Sequence, residues 1–394
     1  MSRETSMPIG YIITILIIGV CTFTALIRAT RLGILAFYVS VVINEIPHLA
    51  ALLLVLSTAL ALVEGDLQGT GGIILLVIAA LELVGLLELT RRSIRAHAVV
   101  NAVAAGHGAE ISGGGVRLWL RPLVFPVPLR PGNVRRIGGL PYGEHPKQRL
   151  DVYRHRNSDL TGPVLVYFHG GGYSSGTNRN EGRVLLHRLA AQGWACISAN
   201  YRLRPEAGLD EHLADARSVL QWANSNAGIH GGDVSRIVMA GSSAGAHMTA
   251  LTVLTPPEPH SPPHDAKSRP EPADAEAVPR IAAAVCLYPW IGRYFGRGED
   301  ESQPSTPLAL DPSNAPPMFI AHGDHDSWVP VEEARELHEH VRAGSSNATW
   351  YVELPGAQHS FDALHSWRNA AVVEGVVAFL RPIGDVAELT DSSR

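Results

Sequence analysis

The pattern of apolar and polar positions changes character about a quarter of the way along the chain. Pro8 to Ile27 runs without a formal charge and is rich in Ile, Leu and Val. At 1.5 Å per residue such a run crosses about 30 Å of hydrocarbon, so it predicts a membrane-spanning helix over about 8–27. A cleavable signal peptide is the competing reading. It is disfavoured because no small-x-small site leads into polar sequence, and Arg28 and Arg31 are followed by more apolar chain. A second apolar stretch, Leu32 to Val63, is interrupted by Asn44, Glu45, Pro47 and His48. It predicts a span over about 43–63 that starts near one surface, with Pro47 suited to a first helical turn. A third, over about 71–90, carries Glu82 near its middle. An ionised carboxylate there costs about 2.5 to 3.5 kcal/mol on insertion scales. Glu82 is therefore expected to be protonated or to face another helix, in a packing role, since no second carboxylate lies at matching depth.

From Val134 onward, short apolar runs alternate with stretches of helical period, which predicts a mostly parallel sheet flanked by helices. Val134–Ile137 and Arg149–Tyr153 read as an antiparallel start. Val164–Phe168, Ala195–Ala199, Ile237–Ala240, Ala282–Leu287, Met318–Ala321 and Thr349–Glu353 read as the core strands, with helices over Glu211–Ala223 and Glu332–Val341. The expected organisation is a membrane anchor over 1–95, a connector over 96–133 and an α/β domain over 134–394. Within the connector Ala98–Ala105 can extend a helix, and Trp119, Leu120, Leu123, Val124 and Phe125 suit a surface. The α/β domain is interrupted at 256–279, where eight prolines forbid regular helix. His260 and His264 in that loop share a metal-like spacing but lack a third nearby ligand, so no metal is expected there.

Composition adds the averages of two materials: 46% hydrophobic and 18% charged. With a net charge of −5 and no basic cluster larger than Arg91, Arg92 and Arg95, there is no footprint for nucleic acid. Cys21, Cys196 and Cys286 form neither a paired framework nor a metal spacing. Arg28 and Arg31 follow the first span, Glu64 and Asp66 the second, and Arg91, Arg92 and Arg95 the third. Three spans with positive charge retained inside imply a multi-pass protein of the cell membrane whose following domain is cytoplasmic; two spans would reverse the side.

The chemistry is carried by loops that follow strands. Gly241-Ser242-Ser243-Ala244-Gly245 lies between the strand ending at Ala240 and a helix-compatible run from Ala246, the context a nucleophile elbow requires. Gly241 and Gly245 leave room for close backbone approach, Ser243 projects above the sheet, and the Ala244 amide points into the same space. Ser242 is read as a structural neighbour. Upstream, the strand ending at Phe168 runs into His169-Gly170-Gly171-Gly172-Tyr173, whose glycine amides can donate to an oxyanion. A phosphate loop is the rival, without the Lys-Ser/Thr ending it needs. An acyl-transfer serine needs a base and an orienting carboxylate, in the chain order Ser, Asp, His. Asp326 follows the strand ending at Ala321, and His359 follows the strand ending at Glu353. Asp324 is an alternative acid and His365 an alternative base, the latter inside what reads as the next helix.

The motifs HGGGY at 169–173, GSSAG at 241–245, HGDHD at 322–326 and GAQHSF at 356–361 together resemble the hormone-sensitive-lipase-like carboxylesterases of the α/β-hydrolase superfamily. The likeness spans Gly138 to Leu380 and is closest to membrane-anchored bacterial carboxylesterases and prenylcysteine-methylesterase-like hydrolases. It implies an α/β-hydrolase fold preceded by a transmembrane helical bundle. It also implies a triad of Ser243, Asp326 and His359, and an oxyanion hole from the amides of Gly170, Gly171 and Ala244. Ser242 and Ala246 depart from the commonest elbow, which has Asp and Gly at these places, and leave acyl and alcohol preference open. The implied reaction is ester hydrolysis through an acyl-enzyme, needing no metal or organic cofactor, on a small-molecule or lipid ester. A mouth near the bilayer, with Trp119, Leu120 and Phe125 at the interface, would favour lipophilic esters. An amidase or formamidase would share the machinery. A silent receptor or scaffold is disfavoured because every triad member and oxyanion glycine is present.

Overall fold

The computed structural model describes residues 9–111, 116–157, 159–255, 279–298 and 304–384. The proline-rich loop with His260 and His264, and the side chain of Trp119, lie outside the described residues. The chain forms two compact units. One comprises the residues up to Pro128 with His322–Val331 and Val352–Gly375, and the other holds the remainder.

In the first unit, α1 (Ile9–Leu26), α2 (Ile34–Glu45), α3 (Pro47–Glu64) and α4 (Gly69–Gly106) precede a short α5 (Val116–Val124). Three of them, α1, α3 and α4, are long and apolar enough to cross a membrane. Their inward faces pack Tyr11, Ile15, Leu54, Leu86 and Leu89 together, while Phe23, Val63, Leu81 and Val84 are exposed. Helices apolar on both faces suit a lipid surrounding. Glu82 lies in a groove that includes Ile12, Ile15, Gly19, Val20 and Phe23 of α1, so it faces another helix as expected. The second apolar stretch forms two helices: the residue before a proline is disfavoured in the helical region, and Ile46, at φ −129, separates α2 from α3. Helix α4 runs well beyond its apolar part, through an Ala- and Val-rich continuation that holds no proline.

In the second unit, β1 (Val134–Pro141), β2 (Arg149–His155), β3 (Gly162–Phe168), α6 (Arg183–Ala191), β4 (Ala195–Ala199), α7 (Leu209–Asn226), β5 (Gly232–Ser242), α8 (Ala244–Leu254) and β6 (Ile281–Leu287) follow in order. The chain ends through β7 (Met318–Gly323), α9 (Val331–Gly344), β8 (Thr349–Leu354) and α10 (Trp367–Leu380), which carry residues of both units. The sheet order is β1-β2-β4-β3-β5-β6-β7-β8. β1 and β2 pair antiparallel, as do β2 and β4, and the ladders from β4 through β7 are parallel. One core cluster packs α7 against β2 to β5, and another packs α8 and α9 against β6 and β7. β3 lies between β4 and β5, so the chain leaves it toward one side and returns on the other. Open α/β sheets bind ligands at such a switch point, beyond the carboxyl ends of the strands.

Candidate active site

The carboxyl ends of β3 and β5 lie side by side, with Phe168 paired to Gly241. Between the end of β5 and the start of α8 stands Ser243 alone, at φ 50. A non-glycine residue held there costs of order 1–3 kcal/mol, a strain that persists only where the surroundings enforce it. They do. A methyl group at Gly241 would sit 2.3 Å from the Gly245 backbone, and one at Gly245 would sit 2.1 Å from the Phe168 carbonyl oxygen. The Ser243 N–H donates to the Leu287 carbonyl at 2.9 Å. Ala244 opens an eleven-residue helix, so its N–H has no partner within the helix.

Ser242 is buried and its hydroxyl donates to the Glu181 carboxylate, the bond of a structural neighbour. The same Glu181 oxygen accepts the Gly170 N–H at 2.6 Å. This corrects the expectation for Gly170, whose amide serves Glu181. The N–H groups of Gly171, Gly172 and Ala244 meet no acceptor among the described residues. His169 is buried with Nδ1 2.7 Å from the Gly170 carbonyl, and its ring stacks on Tyr201 at 4.5 Å. Burial pushes its pKa down to about 4, so it serves as a neutral support of the loop. His247, one turn into α8, is pushed down to about 4 in the same way. Its Nδ1 lies 2.7 Å from the Tyr173 hydroxyl and its Nε2 2.8 Å from the Ser305 carbonyl. Sequence reasoning missed Glu181 and His247, because nothing local marks either one.

The first unit holds the other two expected members. His359 Nδ1 lies 2.6 Å from Asp326 Oδ2. The other Asp326 oxygen accepts the N–H groups of Trp328 and Val329 at 2.9 and 2.8 Å. His322 Nε2 approaches Asp326 Oδ2 at 3.1 Å and the Val329 carbonyl at 3.0 Å. Burial of Asp326 works to raise its pKa, but the two histidines more than offset this, and the carboxyl is held well below the usual range. An ionised carboxylate only accepts, so His359 Nδ1 carries the hydrogen and Nε2 is left as the basic atom. Asp324 instead accepts the Gly356 N–H at 2.5 Å. His365 precedes α10 and does not lie inside it; its N–H donates to the Pro126 carbonyl. The Gln358 side-chain oxygen accepts the N–H of both Ser327 (2.7 Å) and His359 (3.0 Å), joining the acid loop to the base loop. Among the described residues no group of three His, Cys, Asp or Glu side chains is placed to hold a metal.

The sequence profile of the α/β hydrolase fold matches residues 165–363. LipM of Mycobacterium tuberculosis, named a probable carboxylic ester hydrolase, is 32% identical across 78% of this chain and 77% of its own length. A probable isoprenylcysteine alpha-carbonyl methylesterase of rice (Oryza sativa subsp. japonica) is 28% identical across 54% of each chain. The structure of Thermogutta terrifontis esterase 2 phosphorylated by paraoxon is 26% identical, with a TM-score of 0.51, over 65% of this chain and 96% of the esterase.

Proposed function

This chain belongs to the α/β-hydrolase family and is a carboxylic ester hydrolase; from that premise we propose that it works as a membrane-anchored serine esterase with Ser243, His359 and Asp326 as its triad. Ser243 Oγ attacks the ester carbonyl as His359 Nε2 takes its proton. Asp326 keeps the other ring nitrogen protonated and stabilises the imidazolium that forms. The N–H groups of Gly171 and Ala244, with that of Gly172, receive the negative charge on the carbonyl oxygen, each such donor contributing about 3 to 4 kcal/mol. His359 returns the proton to the leaving alcohol, and water repeats the sequence on the acyl-enzyme. The observation that carries the reading is the 2.6 Å bond between Asp326 and His359, which leaves Nε2 as the base. The strained backbone at Ser243 supports the nucleophile.

Membrane anchoring is supported by the three long apolar helices and their exposed apolar faces. Arg92 Nη1 donates to the Leu26 carbonyl at 3.2 Å, setting the arginines that follow α4's apolar part beside the end of α1. Arg28 and Arg31 follow that end, so the positive charge gathers on one side, the cytoplasmic one. Leu120, Leu123, Val124 and Phe125 form an exposed apolar run suited to the bilayer interface, which favours lipophilic esters.

The test is Ser243→Ala in the full chain. Turnover of a p-nitrophenyl ester should fall by about 10⁴-fold or more while the circular dichroism spectrum is retained. Paraoxon should phosphorylate the wild type at Ser243 and leave the variant unmodified. Retained turnover would overturn the triad, and a higher kcat/KM on a matched amide would make the enzyme an amidase.

A further inference from the structure

Helix α2 is apolar but, at twelve residues, too short to cross a bilayer. Its polar side chains meet the two loops that carry Asp326 and His359, all within one compact unit. Ser40 gives its hydroxyl hydrogen to the Ala36 carbonyl at 2.7 Å and accepts the Gln358 amide at 3.3 Å. Gln358 is the side chain that joins the Ser327 and His359 N–H groups. Asn44 donates to the Gly356 carbonyl at 2.9 Å. Glu45 accepts the Ser366 hydroxyl at 2.5 Å and pairs with Arg368, whose other terminal nitrogen donates to the Pro355 carbonyl at 3.4 Å. Just ahead of the helix, the Gly33 carbonyl accepts the Ser327 hydroxyl at 3.0 Å. The Phe37 ring stands edge-on to the His359 imidazole at 5.9 Å and lies 5.2 Å from Trp328.

Phe37, Ser40 and Asn44 are spaced three and four apart, so they form one stripe along α2. A helix that only filled space beside these loops would need apolar contact alone. Burying polar groups there costs free energy unless each finds a partner, and the partners found are the backbone and side chains on either side of His359. We infer that α2 is a positioning element for the acid and base. Ser40 acts through Gln358, and Asn44 and Glu45 act through Gly356 and Arg368. Helix α2 thereby supports the loops that carry the proposed acid and base. This rests on the triad reading given above.

The experiment uses the full-length enzyme in detergent micelles, with active sites counted by phosphorylation with paraoxon to completion. Ser40→Ala combined with Asn44→Ala should lower kcat per counted site roughly 10- to 100-fold, the cost of a misplaced catalytic group, with KM within about two-fold. Ser40→Thr, which keeps the hydroxyl, should retain kcat near the wild-type value. Should kcat per counted site stay unchanged while only the melting temperature falls, α2 is a packing helix and the inference is overturned alone. Should a parallel Ser243→Ala control still turn over ester, the triad reading falls and takes the inference with it.

Discussion

At Ser243 an unfavourable backbone conformation is held in place by close neighbours, and this local logic is why the sharp strand-to-helix turn was readable in the sequence. Gly241 and Gly245 are required by contacts a few residues away or on the adjacent strand. Gly170 shows the opposite case. Its place in HGGGY made it an expected oxyanion donor, but Glu181 takes its N–H, and no pattern around Glu181 marks that pairing. Asp326 yields a prediction in two parts. Asp326→Asn should lower kcat by about 10⁴-fold, because the amide no longer fixes the tautomer of His359. Stability should change with pH as well. The folded pKa of Asp326 lies below the unfolded value of about 3.9, so its contribution is present above that value and lost as pH falls through the folded one. Melting curves in detergent should therefore place the variant below the wild type from neutral pH to about pH 4, with the deficit narrowing at lower pH.

Among the elements, α2 is the one whose nature the sequence concealed. Asn44 and Glu45 read as an interruption at a membrane surface, since a polar residue inside an apolar stretch looks the same whether it meets water or a buried partner. Its partners Gly356, Ser366 and Arg368 lie more than three hundred residues away. Glu45 and Arg368 are both fully buried. Arg368→Met leaves an unpaired carboxylate there and should cost about 3–5 kcal/mol, seen as a lower melting temperature. Adding Glu45→Leu removes that charge and should restore most of the loss. The strands were legible for the converse reason: their apolar runs are buried on both faces, so composition alone marks β3, β4 and β7.

For the whole molecule, the two halves of the apolar average have distinct expected behaviour. The full chain should sediment with membranes, resist extraction by alkaline carbonate and be released by detergent; release by carbonate would exclude spanning helices. A chain lacking residues 1–95 should not recover esterase activity, because it leaves Arg368 buried without Glu45 and Gly356 without Asn44. Measured turnover of the purified fragment checks this. The same bonds impose an order in time. Asn44 and Gly356 are 312 residues apart, so at about 5 to 20 residues per second the ribosome completes the supporting helix roughly 15 to 60 s before the loop it supports. Hydrolytic competence is thus the last property that biosynthesis confers. On the proposed anchoring, the first helices would enter the bilayer while the chain still lacked the loop that carries His359, so the nascent enzyme would be latent at that stage.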